Sequence, residues 1–254
     1  FMTQAKLQAV GGKWLLFNGN FFNTFSLPLS YIFINLIYKS PEFILISYVI
    51  FIYFIMVNKN FFSSQFNFFW TKMFLILFIL LFPIITFIFL PYRVYDGLRL
   101  FLYLIPYISI IPGLAIYYLI INYKIHISKI LLTAIFSLFA YYLLIFFSLT
   151  PYQYTYLNVL NGNFSKAYKK FENDYWGSSI RELIKKVNLD KESSITFATC
   201  GISQHVAKYY LKKSDYLNFR FGNSKNSSYI IMTNRVTLNE ESIYKSENLI
   251  NCFD

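Results

Sequence analysis

Residues 73–90 read MFLILFILLFPIITFIFL, eighteen positions with no charge and a single hydroxyl, Thr86. A helix of that length rises about 27 Å, close to the roughly 30 Å hydrocarbon thickness of a bilayer. A core helix of a water-soluble domain would need a polar face, and this stretch lacks one. It reads as a membrane span. Working outward, 41–57 (PEFILISYVIFIYFIMV), 97–121 and 130–149 are three further apolar runs, with Glu42 and Arg99 near the edges of the first two. Pro83, Pro106 and Pro112 would break helices in water, but neighbouring helices satisfy the freed carbonyls inside a membrane. Residues 27–38 (LPLSYIFINLIY) are too short to span and are expected to lie along the interface or to re-enter. Tyr31, Tyr38, Trp70, Tyr92, Tyr95, Tyr123 and Tyr152 gather near the ends of these runs, as an aromatic belt does.

The composition of the 254 residues divides at about position 150. Hydrophobic residues are 56% and charged ones 14%, against roughly 45–50% and about 25% in soluble domains. Residues 1–149 hold nine Lys/Arg and only two acidic side chains, Glu42 and Asp96; residues 150–254 hold fourteen basic and ten acidic. The expected fold is therefore mainly α: a polytopic transmembrane helical bundle followed by a small C-terminal α/β soluble domain. Its expected divisions are an outer-face loop and interfacial helix over 1–40, about four spanning helices within 41–149, and an extracytoplasmic domain over 150–254.

Lys59, Lys72, Lys124 and Lys129 lie in the loops 58–72 and 122–129, against Arg93 and Arg99 on the other side. The positive-inside bias puts the lysine loops in the cytoplasm and residues 150–254 outside a plasma or inner membrane. Within that tail, Ser179 three residues before Glu182 resembles a capping box for a helix. Residues 194–199, 217–221 and 229–233 read as strands, and a helix is expected to run to about 213. A disulfide between Cys200 and Cys252 and an unpaired, buried Cys200 are both compatible with the sequence. His126 and His205 stand far apart with no zinc spacing, and no phosphate loop, dinucleotide fingerprint, GxSxG or HExxH occurs. No cofactor is identified, and a requirement for a divalent metal is left open. The net charge of +11 is spread over loops and one domain, which points to anionic lipid head groups and not to nucleic acid.

Three short stretches carry more specific information. The first is Phe17–Asn18–Gly19 with Leu27–Pro28–Leu29–Ser30–Tyr31 and Lys39–Ser40–Pro41. The second is Tyr95–Asp96–Gly97–Leu98–Arg99–Leu100–Phe101, running into Pro106. The third is Pro151–Tyr152–Gln153–Tyr154, Tyr156 and Asn158, followed by Asp174–Tyr175–Trp176–Gly177. All three fall on the outer side in this topology. Their order and spacing, over about residues 17–185, resemble the C-terminal half of the lipid-carrier-dependent glycosyltransferases of the GT-C fold, which include protein O-mannosyltransferases and aminoarabinose transferases. Leu29–Ser30 stands where that family has Trp–Tyr, and Leu100 where it often has His. The resemblance implies transfer of a sugar from a polyprenyl-phosphate carrier to a glycan, lipid or protein acceptor. It implies substrate-binding positions at Arg99, Asp96, Tyr95, Arg93 and Tyr31, and domain docking through Tyr152, Asp174, Tyr175 and Trp176. The family's catalytic carboxylate belongs to a first outer loop with no counterpart here. With Phe1 preceding Met2, the chain is expected to be a C-terminal portion whose catalytic residue lies upstream.

Physical chemistry leaves two readings of Arg99. A guanidinium at head-group depth can hold a phosphate through two oxygens. It can equally snorkel and pair with Asp96, three residues earlier. Asp174 to Gly177 likewise reads as a docking turn or as an acceptor-binding one. A non-catalytic scaffold subunit and a transporter or lipid flippase are the alternatives in other functional classes. The latter lacks internal repeats and intramembrane carboxylates.

Overall fold

The computed structural model describes residues 14–89, 94, 97–162, 164–174, 177–187, 194–214, 216, 218–222, 226–238 and 249–251. The chain divides into two units, Leu27–Phe164 and a second made of Phe1–Ser26 with Ser165–Asp254.

The first unit is helical: α1 (Ser30–Lys39), α2 (Glu42–Val57), α3 (Lys59–Gln65), α4 (Phe69–Phe89), α5 (Ile105–Ile121) and α6 (His126–Ser148). A 3-10 turn over Arg99–Leu104 leads into α5. Three stretches, Phe69–Phe87, Arg99–Ile121 and His126–Ser148, are long and apolar enough to cross a membrane. They bury little of themselves inside the protein: 17%, 33% and 11% of their most apolar windows. Phe74, Phe78, Leu144 and Phe147 point outward. A surface of this kind is far larger than the apolar patches that water-soluble monomers tolerate, whereas hydrocarbon accepts it.

What these helices do share is an aromatic core. Phe54 of α2 stacks on Tyr118 of α5 at 4.1 Å, and Phe62 of α3 stacks on Phe69 of α4 at 5.3 Å. Phe62, Ala115 and Leu119 are fully enclosed there. Asn58 donates to the Tyr118 hydroxyl at 3.1 Å, which gives that polar edge of the cluster a partner.

The spans differ from expectation at their ends. The run 41–57 forms a helix of 16 residues, about 24 Å, too short to cross by itself. Only together with α1 does it pass the length test, and the pair is bent by 112°. The bend has a local cause: Pro41 excludes the helical conformation at Ser40, whose ψ is 138°. The run 97–121 is helical from Ile105, with Pro106 in the first turn, where its missing N–H costs nothing. The last helix begins at His126, not 130, and α4 begins at Phe69, not 73.

The second unit is α/β. Strands β1 (Trp14–Phe17) and β2 (Asn20–Asn23) form a hairpin whose turn residues, Asn18 and Gly19, have φ of 50° and 84°. Both values are what a two-residue hairpin turn with right-handed strand twist requires. Then come α7 (Ile180–Lys186), β3 (Ile195–Cys200), α8 (Gln204–Lys213), β4 (Phe219–Phe221), β5 (Tyr229–Met232), β6 (Val236–Leu238) and β7 (Leu249–Asn251). β3 is the middle strand of a parallel sheet ordered β4-β3-β5, and β6 pairs antiparallel with β7. Ile180 and Ile184 of α7, Ala207 and Leu211 of α8, and Phe197 and Ile231 of the sheet form the core.

The strands and helix expected in the tail are present within a residue or two. Other expectations need correction. Residues 14–23 form a hairpin and not a loop: the Gly19 amide donates to Lys170 O at 3.1 Å, and Phe17 bridges to Phe171, so the hairpin folds with the distant C-terminal segment. Residues 150–162 belong to the helical unit, so the boundary falls near 164 and not at 150. Ser179 does not cap α7, having helical dihedrals and no side-chain cap bond. Cys200 is disulfide-bonded, which removes the unpaired alternative; the chain's other cysteine, Cys252, lies outside the described residues.

Candidate functional site

The parts of the three stretches that belong to the helical unit meet along α1, which bonds Gly97 near its start and Asn158 at its end. Tyr31, Asn35 and Lys39 stand at i, i+4 and i+8, which puts them on one face of α1. Tyr31 is buried, and its hydroxyl reaches the Gly97 carbonyl at 3.4 Å. Asn35 is also buried and donates to Tyr31 O at 2.9 Å. Gly97 has φ of +64°, and a side chain there would run into the Lys39 ammonium. The glycine therefore does two things: it supplies the left-handed turn, and it leaves the space that Lys39 enters. Two residues on, exposed Arg99 opens the 3-10 turn, which is anchored by buried Phe101 and Leu104.

This gives a place with two cations, Lys39 and Arg99, around a glycine turn at the start of an apolar helix. Lys39 and Asn35 were not read from the sequence as site residues, although their spacing from Tyr31 was visible there. Of the other expected substrate-binding positions, Asp96, Tyr95 and Arg93 lie outside the described residues.

The C-terminal end of α1 meets the third stretch. Asn158 is buried, and its backbone N–H donates to Tyr38 O at 2.9 Å. Its side-chain amide donates to Ile37 O at 2.5 Å and Ser40 O at 2.8 Å, while its side-chain oxygen accepts from Leu160 N at 3.1 Å. Three of these bonds satisfy carbonyls that the end of α1 leaves open. Glu42, at the start of α2, accepts from the Tyr156 hydroxyl at 2.8 Å and from Val159 N at 3.0 Å. Burial, and then the Glu42 carboxylate it donates to, push the Tyr156 phenol well above its ordinary range.

The expected docking residues are engaged locally. Tyr152 is half-buried on the turn after α6, where its N–H bonds Leu149 O and its carbonyl accepts from Thr155. The Asp174 carboxylate accepts from Ser178 N at 3.0 Å, from Ser179 N at 3.2 Å and from the Ser179 hydroxyl. It thus orders the turn that leads into α7 and caps none of that helix's own amides. Gly177, with φ of +63°, has no room for a side chain because Ile202 occupies that space. Tyr175 and Trp176 lie outside the described residues. Among the described residues, no group of three His, Cys, Asp or Glu side chains could hold a metal ion.

The chain matches no family model, no curated protein and no solved structure.

Proposed function

We propose that this protein is a membrane glycosyltransferase, multi-pass in a plasma or inner membrane with its α/β unit outside, that moves a sugar from a polyprenyl-phosphate carrier to an acceptor at the outer face. One observation carries the reading: parts of the three stretches that resemble the lipid-carrier-dependent glycosyltransferases are tied together within the helical unit, Tyr31 to Gly97 and Asn158 to Ile37. Arg99 and Lys39 then hold the phosphate of the carrier while its polyprenyl chain lies along the apolar surface of α4 to α6. When the acceptor attacks C1 of the sugar, the bond from C1 to the phosphate oxygen breaks, and negative charge grows on the departing phosphate. Fixed cations aimed at that charge stabilise the transition state more than the ground state.

Arg99→Lys in the full-length protein tests this directly, read as transfer rate at matched membrane levels. Lysine keeps the charge and loses the planar fork that engages two phosphate oxygens. Loss of one charge-assisted bond weakens transition-state stabilisation by about 1.5–3 kcal/mol, roughly ten- to a hundredfold in rate. A near-normal Arg99→Lys protein removes the phosphate role and leaves Arg99 as an interface anchor, worth at most about 1 kcal/mol.

A further inference from the structure

The same end of the helical unit contains a cavity of about 300 Å³ whose chemistry differs from that of the Gly97 turn. Glu42 lies on one side of it, Tyr141, Ile145 and Leu149 of the last turns of α6 form a mostly apolar wall, and Tyr156 and Val159 come from the loop that follows. Both oxygens of Glu42 are committed only once, to Tyr156 and to Val159 N. A carboxylate oxygen offers two acceptor positions, so each retains one. The C-terminal end of α6 also borders the cavity through Ser148 and Leu149, and a helix C-terminus carries partial negative charge. Val159 gives the cavity an apolar, 60% exposed border. Among the described residues, no cationic side chain lines the cavity.

We infer that this cavity is a binding site for the head of an amphiphile that donates hydrogen bonds and carries no negative charge, either a polyol or an ammonium, with its tail over Val159. Phosphate heads are disfavoured, because a carboxylate and a helix C-terminus would face them with no neutralising cation among the described residues. The site is separate from the Lys39 and Arg99 cations in chemistry, and it stands independently of sugar transfer.

The test uses three water-soluble amphiphiles with one tail: hexyl glucoside, hexylammonium and hexyl phosphate. Each is titrated calorimetrically into the protein held in phosphatidylcholine nanodiscs, with empty nanodiscs as the blank. The expected result is saturable binding of the glucoside or the ammonium, the stronger of the two naming the head class, and of the phosphate at least about tenfold more weakly. Glu42→Gln should reduce that discrimination about tenfold, since Gln keeps an acceptor but not the charge. Ile145→Trp, which fills the cavity and leaves Glu42 untouched, should abolish binding of all three while the melting temperature stays at the wild-type value. Equal binding of the phosphate overturns the proposal, as does binding that survives Ile145→Trp or an absence of saturable binding above the blank.

Discussion

At the residue scale, the most sensitive positions are those where backbone and neighbour together leave no room. Gly201 follows β3 with φ of +74°, and a Cβ there would stand 2.6 Å from Thr233 O and 3.1 Å from Arg235 O. Those atoms are backbone and cannot turn aside. Gly201→Ala should therefore destabilise the α/β unit by about 2–4 kcal/mol, combining left-handed strain with overpacking; chemical denaturation followed by tryptophan emission measures it, and a loss below about 0.5 kcal/mol would contradict the geometry. Tyr156 makes a different prediction. Its phenol is held protonated in the folded chain, above the ordinary value of 10.0. Below pH 10 both folded and unfolded chains keep the proton, and the contribution is fully present. Above pH 10 only the unfolded chain releases it, so stability falls as pH rises. Tyr156→Phe should flatten that alkaline decline in melting temperature between pH 9 and pH 11. An unchanged slope would show that the phenol is not so held.

At the element scale, α1 depends on a side chain 120 residues away to complete its C-terminus. Asn158→Ala removes two donors from partly buried carbonyls and one acceptor from Leu160 N. The cost should be about 1–3 kcal/mol, because partly buried carbonyls lose their partners, and hydrogen exchange should quicken across 36–42 before it does in α5. Uniform exchange in both helices would mean that the amide is not the tether. This tether also shows where sequence reading stops. The apolar runs were legible because lipid tolerates all-round hydrophobicity over a fixed length, and their number and rough limits follow from that. Ends set by single residues, such as Pro41 forcing the 112° bend, were not, since their effect depends on what the next helix packs against. The Asn18–Gly19 hairpin had a strong local signal, but its partner strand contact at Phe171 has no local trace at all. The capping box failed for a related reason: the Ser179 hydroxyl is turned to Asp174 in the preceding turn and not to the helix. Of the candidate site, Tyr31, the Gly97 turn and Lys39 were legible as parts of motifs, whereas the role of Lys39 beside Gly97 and those of Asn35 and Glu42 emerged only once α1 and α2 were positioned.

At the scale of the whole molecule, the two units respond to different solvents. Reduction of the Cys200 disulfide should loosen the α/β unit and leave the aromatic core around Phe62 and Tyr118 intact, a difference that limited proteolysis with and without reductant would detect. The hairpin at 14–23 has a wider consequence, which is one of parity. The chain leaves the α/β unit after Ser26 and rejoins it at Ser165. A polypeptide that departs from one folded body and returns to it has passed through any intervening bilayer an even number of times. Three crossings cannot close such a path. With all three candidate spans crossing, the expected source of a fourth passage is the bent pair α1–α2, which passes the length test only as a pair. Cysteines placed at Asn20 and Asn226 should react with an impermeant reagent from the same face, and one at Ser63 from the opposite face. Labelling of Asn20 and Asn226 from opposite faces would make the count odd and separate the hairpin from the unit it folds with.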